Sequence, residues 1–142
     1  MLSALKQRLE AKKAKARAIA ASGYWKTHAH LQECLQALRG SCTVAPMELH
    51  EAAIAAVNIA LRENTWVPAE KIPVDFLPQS IYIVWDDAQL PVFQAILAPV
   101  LEIMDDVTAV APETYLVSET MTRIVRCDHW GKCQLYSIEP ED

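Results

Sequence analysis

Three residues near the end of the chain have the types and spacing that could do chemistry: Cys127, His129 and Cys133, in the pattern C-x-H-x3-C. Zinc takes deprotonated sulfur or imidazole at the corners of a tetrahedron, and three such ligands around a turn could fill three corners. The fourth could come from His28, His30, His50 or Cys34, and nothing in the sequence chooses among them. Structural zinc sites use paired short spacings, whereas this chain has one cluster. Cross-strand packing of the two cysteines is therefore the expectation, with no cofactor assigned and zinc kept as the alternative. The same residues offer a thiolate–imidazole pair, but no signature of a cysteine-dependent enzyme surrounds them. Four cysteines in 142 residues do not make a disulfide framework.

Two acidic pairs, Asp86/Asp87 and Asp105/Asp106, bracket a segment that reads as one helix, about 88–105. Roughly 18 residues of helix would hold the pairs about 27 Å apart, too far for a two-carboxylate acid–base mechanism. Asp86 or Asp87 suits the helix N-cap. Asp105 and Asp106, at the other end, would oppose the helix dipole. His28 and His30, two apart on a helix, face different ways. No catalytic set emerges, and the chain is expected not to be an enzyme.

Charge is unevenly distributed. Residues 1–40 carry eight Lys/Arg against two acids, and residues 41–142 carry five against sixteen, so the halves balance at +6 and −11. Such asymmetry points to two surfaces of opposite sign, each able to steer a partner. The acidic part would suit a basic protein partner, with Asp86, Asp87, Asp105 and Asp106 as its contacts and Trp130, at a turn tip, as an aromatic anchor. The basic N-terminal run, with Lys12, Lys13 and Arg17, would suit phosphate, although no stacking platform or reading helix accompanies it. No apolar run approaches the roughly 20 residues that span a bilayer. Lys12, Lys13, Lys15 and Arg17 interrupt any signal-peptide core. A cytoplasmic protein with no membrane partner is expected.

The elements that must position these residues are read from periodicity. A helix over 2–21 and a second over 24–39, with Leu31, Cys34, Leu35 and Leu38 on one stripe and Gly40 as C-terminal cap, precede a third over 46–63 opened by Pro46. Pro68, Pro73 and Pro78 make 64–80 a crossing loop, pinned by Trp66 and Phe76, with a short edge strand over 74–77. Ile81–Trp85 is a strand whose continuous hydrophobicity suggests cover on both faces. After the helix over 88–105, kinked at Pro99, come strands over 113–118, 122–128 and 132–138. Asp128-His129-Trp130-Gly131 suits a type I turn with Gly131 in a left-handed bulge, which sets Cys127 opposite Cys133. Val125, Cys127, Cys133 and Leu135 then share one face, and Ile124, Arg126, Tyr136 and Ile138 the other.

The predicted architecture is α+β in a single domain, 1–142: a helical region 1–63, the Pro-rich loop 64–80, and a sheet-forming region 81–138. N-terminal helices are followed by a β-α-β-β-β unit, giving a four-stranded, mainly antiparallel sheet with helices packed on one side. In size, charge and architecture the chain resembles bacterial immunity or antitoxin proteins, which block a basic nuclease or similar toxin. That resemblance implies an inhibitor that neutralises a basic protein. The alternatives are a nucleic-acid accessory protein using Lys12, Lys13 and Arg17, and a zinc-binding or cysteine-dependent protein centred on 127–133.

Overall fold

The computed structural model describes residues 28–63, 65–87 and 90–138. The helix expected over 2–21, residues 24–27 of the second helix, and Lys12, Lys13 and Arg17 lie outside these. The elements in order are α1 (Ala29–Leu38), β1 (Cys42–Val44), α2 (Met47–Glu63), β2 (Val67–Ala69), β3 (Ser80–Trp85), β4 (Phe93–Ile96), α3 (Leu97–Glu102), α4 (Met104–Thr108), β5 (Glu113–Ser118), β6 (Arg123–Asp128) and β7 (Cys133–Ser137). The fold is α+β around one antiparallel sheet.

The sheet has seven strands in the order β1-β4-β3-β5-β6-β7-β2, which corrects the expected four. Of the two three-residue edge strands, β1 was not expected from sequence, and β2 was expected elsewhere in its loop. β2 lies at 67–69 rather than 74–77, and Pro68 falls where a missing N–H is tolerated, on an edge.

The largest correction concerns 88–105. No continuous helix forms. Residues 93–96 are instead a strand held from both sides, Phe93 opposite Ile83 and Val44, Ala95 opposite Ile81 and Cys42. A strand flanked on both edges satisfies its backbone groups and still buries Phe93 and Ala95 (1% and 3% exposed). A helix through the same residues would have carried Pro99 in its interior. With α3 beginning at Leu97, Pro99 sits in the first turn, where an N–H has no intrahelical acceptor to lose. The 3.6-residue stripe was real in the sequence, but long-range pairing outweighed it.

Helices cover both faces of the sheet, another departure from expectation. On one face Leu31, Cys34 and Leu38 of α1, Leu97 and Val100 of α3 and Val107 of α4 pack with Ile81, Ile83, Trp85, Phe93, Leu116, Val125 and Cys127. On the other, Ala53, Val57 and Ala60 of α2 pack with Tyr82, Val84, Tyr115, Val117, Ile124 and Tyr136. The two-sided burial of β3, anticipated from its unbroken hydrophobicity, requires this second layer.

Local signals explain the element ends. His28 caps α1 through Nδ1, which accepts from the Leu31 N–H at 3.2 Å. The helix ends with Arg39 and Gly40 both at positive φ (52° and 84°), so the left-handed residue expected at Gly40 extends one position earlier. The Pro46 carbonyl accepts from Leu49 and His50 as α2 begins. Trp66 donates its indole N–H to the Ala60 carbonyl at 3.0 Å, in the last turn of α2.

Candidate functional site

The hairpin between β6 and β7 forms as its residues demand. Cys127 stands opposite Cys133 and Val125 opposite Leu135. Gly131 has φ 86°, and its N–H donates to the Asp128 carbonyl at 3.1 Å. The Asp128 carboxylate closes the turn by accepting from the Trp130 and Lys132 N–H groups, both at 2.9 Å. Trp130 is thereby held 78% exposed at the tip, its ring 4.6 Å from that of His129.

Antiparallel register carries this tip to the same end of the sheet as the first acidic pair. Asp128 is paired with Glu113, and the Glu113 carbonyl accepts the Asp86 N–H at 3.0 Å. The second pair arrives through the helical layer. Trp85, the residue before Asp86, donates its indole N–H to the carbonyl of Val107, the residue after Asp106, at 2.9 Å. The separation of about 27 Å expected along a helix therefore does not apply, because that helix is absent. Asp86 thus leaves β3 beside Glu113, and Asp105 and Asp106 open α4, the helix that the Trp85–Val107 bond ties to the end of β3. Asp86, Asp105 and Asp106 are exposed and Asp87 half-buried. Asp105 and Asp106 occupy the first turn of α4 rather than the end of a long helix, so they complement a helix N-terminus where they were expected to oppose a C-terminus.

Beside the hairpin, over β5, β6, β7 and β2, is a polar cleft of about 370 Å³, lined by Pro68, Glu113, Arg126, Asp128, Lys132, Cys133 and Gln134. Arg126 donates to Glu113 Oε1 and Tyr115 O–H to Glu113 Oε2, both at 2.6 Å. Burial by itself would raise the Glu113 carboxyl, but these two donors outweigh it and hold the group below the usual carboxylate range. Arg126 also lies over the Trp66 ring at 5.9 Å. Its guanidinium is thus fixed by a carboxylate on one strand and an indole ahead of another. This cluster escaped the sequence reading, because it depends on the β5–β6 register and on the course of 64–69. Alternation did place Arg126 on its face, opposite to that of Cys127.

Of the three possible zinc ligands, the hairpin brings two together. Cys127 Sγ and Cys133 Sγ are 2.9 Å apart, while His129 Nδ1 is turned toward the Pro112 carbonyl at 3.5 Å. Among the described residues no three His, Cys, Asp or Glu side chains converge on one point. Of the histidines considered as a fourth ligand, His28 caps α1, and His50 is buried in the core with its Nδ1 accepting the Val92 N–H at 3.3 Å. Cys34 and Cys42 are likewise interior thiols. Burial, with the Asp106 charge added, raises Cys34 to about 11, and burial, with Cys34 added, raises Cys42 to about 12. Neither supplies a thiolate near neutral pH. No helix among the described residues is long and apolar enough to cross a membrane.

No curated protein matches the chain. Residues 69–136, from the last residue of β2 into β7, match the model of the family described as CdiI immunity protein EcoliA0-like. The matched stretch contains Asp86, Asp87, Asp105, Asp106, the cleft residues other than Pro68 and the hairpin up to Tyr136, and over it the chain is similar to immunity proteins of that family.

Proposed function

We propose that this protein is an immunity-type inhibitor that binds and neutralises a basic toxin in the cytoplasm. The match of residues 69–136 to an immunity-protein family carries this reading. Charge supports it: residues 41–142 hold sixteen acidic against five basic side chains. The docking surface in this reading is the end of the sheet that carries Asp86 and Asp87, with Asp105 and Asp106 on the helical layer tied to it and the exposed Trp130 at the hairpin tip. Acids of this kind steer a basic partner and set its orientation, and an indole gives the desolvated contact on which affinity depends. Inhibition would be steric, by covering the partner's site, and needs no catalytic group in this chain.

The test begins with tagged full-length protein used as bait in its native cells, followed by co-production of any captured protein in a naive host. A basic protein held at equal stoichiometry, which stops growth alone and is harmless beside this chain, is the expected result. Capture of nucleic acid alone, released by moderate salt, would overturn the proposal in favour of a phosphate-binding N-terminal segment.

A further inference from the structure

The two sulfurs that face each other across the hairpin have a geometry no packing argument requires. Asp128 N–H donates to the Lys132 carbonyl at 3.0 Å. Ladder bonds alternate, so the next pair outward, Cys127 and Cys133, is a non-hydrogen-bonded one. Such pairs bring Cα atoms to about 4.5 Å, inside the range of about 4.4–6.8 Å that a disulfide spans. The sulfurs stand 2.9 Å apart as free thiols and need to close by only about 0.9 Å to bond. They differ in access. Cys127 is 1% exposed, whereas Cys133 is half-buried. The Cys127 thiol hydrogen-bonds Cys133 and lowers its pKa, while Cys127 itself is raised by that bond and by burial. Thr114, the register partner of Cys127 on β5, is fully buried, and its hydroxyl has no hydrogen-bond partner among the described residues. A donor therefore stands beside the thiol that must ionise second.

We propose that Cys127 and Cys133 form a reversible dithiol–disulfide site, oxidised by small disulfides of the glutathione type that reach the half-buried Cys133. The Cys133 thiolate attacks one sulfur of the oxidised glutathione and expels the first glutathione thiolate, leaving a mixed disulfide. Cys127, losing its proton, attacks Cys133 Sγ and expels the second. Two electrons pass from the protein pair to the small disulfide, and both thiol protons end on the two reduced glutathiones. The new bond joins β6 to β7 directly behind the turn that presents His129, Trp130 and Lys132.

The full-length folded protein is equilibrated in mixtures of reduced and oxidised glutathione, quenched in acid, alkylated and digested after Lys and Arg. Peptides 127–132 and 133–142 should appear joined, lighter by two hydrogen atoms than the separate pair. The equilibrium constant should be at least about tenfold above that of the same chain in urea, because the fold pre-positions the sulfurs. Cys127→Ser should stop at a glutathione adduct on Cys133, and Cys133→Ser should give none on Cys127. Two alkylated thiols in excess oxidised glutathione would overturn the proposal. So would a link no more favourable than in urea, or an adduct on Cys127 in place of Cys133.

Discussion

Trp85→Phe tests whether the helical layer is tied to the strand ends as described. The substitution keeps a six-membered ring against Phe93, whose centroid lies 5.6 Å away edge-on, but deletes the N–H that reaches the Val107 carbonyl at 2.9 Å. That carbonyl retains, among the described residues, the Ala109 N–H at the helix end and the long 3.5 Å contact from Val110, in a region where Val107 is 0% and Trp85 4% exposed. A buried acceptor left without its donor costs about 1–3 kcal/mol, and the smaller ring forfeits roughly 1 kcal/mol of burial. The total is about 2–4 kcal/mol. With a urea slope of about 1–3 kcal/mol per molar, the unfolding midpoint should fall by roughly 1–2 M. Trp66→Phe is the matched control: its N–H also caps a carbonyl, that of Ala60 at 3.0 Å, but the residue is half-buried. Water can replace that donor, and a loss of about 0.5–1.5 kcal/mol is expected. Equal losses in the two variants, or a Trp85→Phe midpoint within about 0.3 M of wild type, would refute the reasoning.

Asp128→Ala removes both side-chain bonds that close the hairpin turn and should cost about 1–2 kcal/mol in urea unfolding, whereas Asp128→Asn, which keeps an acceptor oxygen, should lose less than half of that. His50 supplies an acid-sensitive step. Burial depresses its pKa, so it folds neutral while the unfolded chain takes up a proton as pH falls below about 6.5. Its contribution to stability is complete above that pH and declines as pH falls from there toward the folded value. The urea midpoint should fall between pH 7 and 5.5, and His50→Gln, which can still accept from Val92, should lack that part of the slope.

Legibility in the sequence followed the range of the interactions. Turn chemistry is local, and Asp128 with Gly131 sufficed to set the Cys127–Cys133 pairing and both faces of the last hairpin. The helix at 47–63 and the strand at 80–85 were equally readable, since Pro46 and a run of β-branched and aromatic residues signal them within a few positions. Residues 93–96 were not. Their partners on β1 lie about fifty positions upstream, and a short apolar run fits helix and strand periodicity alike. With that strand misassigned, the helix distances, the layer count and the placement of Asp105 and Asp106 were lost together. The Glu113–Arg126 pair required knowing which residues of β5 and β6 face each other, which no local pattern encodes.

The central claim is that the acidic end of the sheet holds a basic protein. Titration calorimetry with the captured partner tests it most directly, comparing wild type with Asp86→Lys/Asp87→Lys and Asp105→Lys/Asp106→Lys at two salt concentrations. The account predicts affinity at least about tenfold weaker for each pair at low salt, with the gap narrowing as salt screens the exposed charges. Unchanged affinity in both double variants, with both folded, would contradict it.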